Sequence, residues 1–160
     1  MQATDVMTKD IIHNKSVLVV DDDERMLRAL DKVLTSEGAN VMCSSWAGSA
    51  IGLLRDKRIP VDLVIVDLSL PFISGLTTVH AIHNHHPSLP IIVLTGYGSP
   101  AVKAECLREG AAAFLEKPLD SRVLIEAIKD VFELEGNRTN KDGRMAKGRG
   151  EIERDHGNRN

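Results

Sequence analysis

Three stretches of the chain, Val17–Val20, Leu63–Val66 and Ile91–Leu94, are aliphatic at every position and show no alternation of apolar and polar residues. Runs of this kind, short and rich in valine and isoleucine, are those of strands covered on both faces, as in a parallel sheet. A weaker run, Ala112–Glu116, reads as a fifth strand, and Asn40–Ser44 as the second in chain order. Between them the apolar period lengthens to that of helices. Met26, Leu27, Leu30, Val33 and Leu34 recur at helical spacing before Gly38, a helix stop. Helices are likewise predicted over 47–57, 75–85 and 101–109, the last stopped by Gly110. A fifth, over 121–134, has Val123, Leu124, Ala127, Ile128, Val131 and Phe132 on one face. Five strands alternating with five helices predict a doubly wound α/β three-layer sandwich with right-handed crossovers.

Each apolar run ends abruptly in a polar group. Val20 is followed by Asp21-Asp22-Asp23-Glu24, Val66 by Asp67, Leu94 by Thr95, and the last strand by Lys117-Pro118. Ligands of such sheets bind beyond the carboxyl ends of the strands, so Asp21, Asp22, Asp67, Thr95 and Lys117 are expected to converge there. Two or three carboxylates in a cleft suit a hard divalent cation such as Mg²⁺. An ammonium and a hydroxyl opposite them can hold phosphoryl oxygens, and the central carboxylate is then a nucleophile toward phosphorus. Asp23 is read as the cap of the first helix rather than a metal ligand.

These pieces together resemble the receiver domain of two-component response regulators, over about residues 15–134: Val17-Leu18-Val19-Val20-Asp21-Asp22, Val66-Asp67 with Pro71 and Gly75, Leu94-Thr95-Gly96, and Phe114-Leu115-Glu116-Lys117-Pro118. The resemblance implies a flavodoxin-like sheet of strand order 2-1-3-4-5. It also implies phosphorylation of Asp67 by a sensor histidine kinase, a phosphotransfer protein or a small phosphodonor. Asp22 and Asp67 would bind Mg²⁺ directly, Asp21 through water and Ser69 through its backbone carbonyl. Thr95, Lys117 and the backbone of Gly96 and Leu68 would contact the phosphoryl group. The Lys117–Pro118 peptide would be cis. Phe114 would be an aromatic switch that follows Thr95, and the face of the fourth helix, fifth strand and fifth helix would be read by a downstream protein. A homodimer through that face is a further expectation. Tyr97 and Ser69 stand where the family tunes hydrolysis of the acyl phosphate, and the bulk of Tyr97 is expected to shield it.

Composition narrows the classes. Aromatics make up only 3% of the chain and the net charge is −3, with no basic stripe before residue 138, so direct nucleic-acid binding is not expected; no run approaches the roughly 20 apolar residues of a membrane span. The region after Leu134 carries seven Lys/Arg against five Asp/Glu, which leaves the rest more acidic than the whole. It is too short and polar for a helix-turn-helix output domain. Residues 1–15 are read as a loose extension, 16–134 as the receiver, and 135–160 as a disordered polar tail. The chain is read as cytoplasmic, either a single-domain regulator acting by protein contact or phosphate shuttling, or a fragment of a longer regulator.

Other readings compete at particular residues. A receiver-like scaffold that is never phosphorylated is the alternative function. Gly96-Tyr97-Gly98-Ser99-Pro100-Ala101 formally fits a dinucleotide fingerprint, but the acids after the first strand would repel a pyrophosphate. A haloacid-dehalogenase-type phosphatase would need an acid where Ser69 stands. His80, His83, His85 and His86 are read as a solvated helix end rather than a Ni²⁺ or Zn²⁺ site. Cys43 and Cys106 are read as reduced and mostly buried, and Trp46 as either a partner contact or half-packed.

Overall fold

The computed structural model describes residues 11–147, with side chains to residue 141. The strands are β1 (Ser16–Val20), β2 (Asn40–Ser44), β3 (Leu63–Asp67), β4 (Ile91–Thr95) and β5 (Ala113–Glu116). The helices are α1 (Glu24–Ser36), α2 (Ala47–Arg55), α3 (Gly75–His85), α4 (Pro100–Arg108) and α5 (Ser121–Lys147). All neighbouring strands are parallel, in the order β2-β1-β3-β4-β5. The doubly wound, flavodoxin-like fold predicted above is the fold observed.

Every residue of β1, β3 and β4 is buried, because the uninterrupted aliphatic runs serve both faces of the sheet. Leu18, Val20, Val64, Val66, Ile91 and Val93 pack on one side with Ala50, Leu54, Val79, Ile82 and Cys106 from α2, α3 and α4. Val17, Val19, Leu63, Ile65, Ile92 and Leu94 pack on the other with Leu30 and Leu34 of α1 and Leu124, Ile128 and Val131 of α5. Truncating any of the larger of these to alanine is expected to cost about 2–5 kcal/mol.

Helix ends follow local chemistry. Asp23, Ser74 and Ser99 cap α1, α3 and α4 by accepting from the backbone N–H of Arg25, Thr77 and Val102. Pro100 begins α4 one residue before the predicted start, since proline at the first helical position loses no hydrogen bond. Gly38, at φ +86°, ends α1 as expected.

Three expectations are corrected. The segment before β1 is not loose throughout: residues 11–14 form a turn whose Ile12 is fully buried against the α1 and α5 side of the sheet. Residues 1–10 lie outside the described residues. The fifth helix does not stop at Leu134 but continues to Lys147, so the polar tail is helical over 135–147; residues 148–160 lie outside the described residues. Nothing in 135–147 forbids a helix, as there is no proline. Arg138 pairs with Glu135 at 3.3 Å, and the Thr139 hydroxyl bonds back to the Gly136 carbonyl at 2.9 Å. Cys106 is buried as expected, but Cys43 is exposed, because β2 is an edge strand.

Candidate functional site

The sheet register assembles the site. Val20 pairs with Val66, so Asp21 and Asp67 leave adjacent strands at the same level. Asp67 pairs with Leu94 and Thr95 with Glu116, which brings Thr95 and then Lys117 to the same edge. A backbone bond from Lys117 N–H to the Thr95 carbonyl, at 2.7 Å, fixes the start of the loop after β5. The Lys117–Pro118 peptide is cis, as expected.

Asp21 and Asp67 are 1% and 5% exposed, while Asp22 is open to solvent. Oxygens of the three carboxylates lie within 4.8 Å of one another. They form the one group of three or more potential metal ligands of this kind among the described residues. The Lys117 ammonium reaches between two of them, 2.9 Å from Asp21 Oδ2 and 3.4 Å from Asp67 Oδ2. Asp21 also accepts from the Asp23 N–H at 2.9 Å, and Asp67 from the Ser69 N–H at 3.1 Å.

The electrostatics follow from this crowding. Burial is the larger influence on Asp21 and pushes its pKa above the ordinary carboxylate value, with Asp67 adding to the rise; the Asp23 N–H and Lys117 oppose it without cancelling it. Burial alone would lower the Lys117 pKa, but Asp21 and Asp67 together outweigh it and hold the ammonium above its usual value. A pocket in which a buried acid is disfavoured as an anion is one that added positive charge relieves. Three carboxylates offering hard oxygens fit a small divalent cation by donor type and spacing.

The remaining predicted residues are placed as follows. Thr95 is buried, and its hydroxyl bonds to the Tyr97 backbone, accepting from the N–H at 3.1 Å and donating to the carbonyl at 3.3 Å. Gly96 has no heavy atom within 4 Å of where a Cβ would stand, which leaves room beside the pocket. Phe114 is half-buried against the side of the sheet that α2, α3 and α4 cover. Tyr97 is 90% exposed, so its ring does not cover the pocket in this conformation. Asp23 caps α1, as read from the sequence.

Leu68 departs from expectation. Its N–H donates to the Leu94 carbonyl at 3.0 Å, because the β3–β4 pairing runs one residue past Asp67. The next N–H, that of Ser69, is the one turned to the Asp67 carboxylate. A role not foreseen falls to Gly75, whose N–H bonds the Leu68 carbonyl at 3.0 Å. A Cβ there would collide with the Leu68 backbone and the Asp67 carbonyl, so the start of α3 is pressed against the loop that carries Asp67. The sequence signal was a glycine at a helix start, where only the close approach explains it.

The histidines do not gather into a site among the described residues. His80 pairs with Glu109 through Nδ1 and meets the Asn84 amide through Nε2 at 2.9 Å, while the His83 ring lies against Gly110.

Comparison with known proteins agrees with this geometry. The family model of the response regulator receiver domain matches residues 17–129. The transcriptional regulatory protein GlrR of Escherichia coli K12 is 34% identical over 130 residues, covering 81% of this chain and 29% of that protein. FixJ of Azorhizobium caulinodans is 30% identical over 138 residues, covering 85% of this chain and 62% of that protein. The chain thus spans less than two thirds of these relatives. Among solved structures, a CheY-like receiver domain protein of Methanospirillum hungatei superposes with a TM-score of 0.74 at 29% identity, over 78% of this chain and 98% of that one. The CheX–CheY–BeF₃–Mg²⁺ complex of Borrelia burgdorferi superposes with a TM-score of 0.72 at 26% identity, over 75% of this chain and 90% of that one. The matched residues include the whole of the carboxylate, hydroxyl and ammonium cluster, and the chain belongs to the receiver domain family of two-component response regulators.

Proposed function

We propose that Asp67 is the phosphoacceptor of this receiver and that Mg²⁺ is its cofactor. The observation that carries the reading is the Lys117 ammonium held between Asp21 and Asp67, beside a cluster of three carboxylates. Asp22 and Asp67, with the Ser69 carbonyl, would hold the ion directly, and Asp21 through water. When bound, Mg²⁺ supplies positive charge against the phosphoryl oxygens.

The residues of the chain then divide the work. A carboxylate oxygen of Asp67 attacks phosphorus as the bond to the donor breaks. With a phosphohistidine donor this is the N–P bond, and the departing imidazole takes up a proton. Lys117 turns from the carboxylates toward the new phosphoryl oxygens, and the Gly96 N–H and the Thr95 hydroxyl complete their shell. To do so, Thr95 gives up its bonds to Tyr97. The β4–α4 loop follows, and Phe114 takes the space vacated. A change in population of the α4–β5–α5 face is the output, read by a downstream protein or a second copy.

A sensor histidine kinase or a phosphotransfer protein is the proposed donor, and the cytoplasm the proposed compartment. No described helix is long and apolar enough to cross a membrane. The chain is not an enzyme toward other substrates in this reading; it catalyses only its own phosphorylation and dephosphorylation. Incubation with acetyl phosphate and Mg²⁺ followed by intact-mass measurement tests it. Wild type should gain one phosphoryl group and Asp67→Asn none. No gain in wild type would leave a scaffold that is not phosphorylated.

A further inference from the structure

Gly98 lies in the loop between Thr95, whose hydroxyl is tied to Tyr97, and Ser99, which caps α4. It is not one of the glycines with left-handed backbone, which among the described residues are Gly38 and Gly110, so alanine could adopt its conformation. Its need for glycine is one of space. A Cβ on Gly98 would stand 2.7 Å from Glu116 Oε1 and 3.0 Å from Phe114 Cε1. The Glu116 side chain is exposed and can swing away, whereas the Phe114 ring is half-buried and carried on a strand. The ring is therefore the contact that decides.

We infer that Gly98 is a positioning residue of the phosphorylation switch: its missing side chain seats the Phe114 ring against the β4–α4 loop, so that loop movement and ring movement are one event. The inference rests on the proposed roles of Thr95 and Phe114. The loop is anchored at Thr95 on one side and at the α4 cap on the other, with two residues between Thr95 and Gly98 to absorb a shift. Drawing Thr95 toward a phosphoryl group must change the distance from Gly98 to the ring. A substitution that displaces the ring without phosphate changes how often the loop reaches the arrangement that accepts a phosphoryl group, and so alters phosphoryl uptake.

The test uses the full chain with 4-fluorophenylalanine at its three phenylalanines, each ¹⁹F resonance assigned by a Phe→Leu variant. Gly98→Ala should shift the Phe114 resonance in the unphosphorylated protein and shrink the further shift on adding acetyl phosphate and Mg²⁺. It should also change the rate of phosphoryl uptake by roughly threefold or more, through the fraction of molecules in the competent arrangement. In a Phe114→Ala background the same substitution should leave the rate unaltered. An unshifted Phe114 resonance in Gly98→Ala overturns the inference, and so does a rate effect that persists undiminished without the ring. If wild type takes up no phosphoryl group, the proposed function fails, and the resonance of the unphosphorylated variant still decides the contact.

Discussion

Lys117 donates to Asp21 at 2.9 Å across 96 residues of sequence, tying the last strand of the domain to the first. Asp21 is almost wholly buried, so removing its cationic partner leaves a carboxylate with too little compensation. Lys117→Ala should destabilise the metal-free protein by about 1–3 kcal/mol. Adding Mg²⁺ should recover more stability in this variant than in wild type, read as the shift in urea midpoint. Equal shifts would mean that the ion and the ammonium do not share the same charge.

Asp21 gives a pH dependence of defined sign. Its folded pKa lies above its unfolded one, so the folded state binds this proton more tightly. The stability this contributes is present below the unfolded value and is lost as pH rises through the folded one. Without divalent cations, Asp21→Asn should therefore melt above wild type at neutral pH, and the advantage should fade on acidification through the carboxylate range. Lys117 titrates in the alkaline range, above its usual value, and does not enter this window.

Gly75 sets the height of the Asp67 loop. Because the colliding atoms are backbone, no rotamer relieves an added methyl, and Gly75→Ala should cost about 1–3 kcal/mol. It should slow phosphorylation by acetyl phosphate as well. Gly96→Ala, with open space around it, should leave stability within about 0.5 kcal/mol of wild type.

The continuation of α5 beyond the core is predicted to be dispensable for folding. Among the residues whose side chains are described, Val131 is the last buried residue of the helix, and Leu134 is 61% exposed. Truncation after Gly136 should change the thermal midpoint little and leave phosphoryl uptake intact. A loss of cooperativity in the melt would show that the overhang belongs to the folding unit.

Much of this was legible in the sequence, for identifiable reasons. β1, β3 and β4 betray themselves because a strand covered on both faces must be apolar at every step, and the residue that ends the run is then the one at the rim. That is why Asp21, Asp67 and Thr95 are legible in the sequence as rim residues. Lys117 was readable only beside Pro118 at a strand end. Ile12 was not, since one apolar residue among polar ones has no period. The length of α5 was hidden because, over residues 135–141, the helix buries no apolar residue and so shows no apolar period. Which backbone N–H is left for the pocket depends on how far strand pairing runs past Asp67, and Leu68 carries no mark of it. The exposure of Cys43 follows from strand order, which a single strand does not announce.

The central claim is that Asp67, and not a neighbouring acid, takes the phosphoryl group. Borohydride reduction of the acetyl phosphate-treated protein, followed by peptide mass spectrometry, reads this directly, since reduction converts an aspartyl phosphate to homoserine. Homoserine at residue 67 alone, formed with Mg²⁺ and absent with a chelator, is the expected result. Homoserine at Asp21 or Asp22, or an equal yield without the metal, would contradict it.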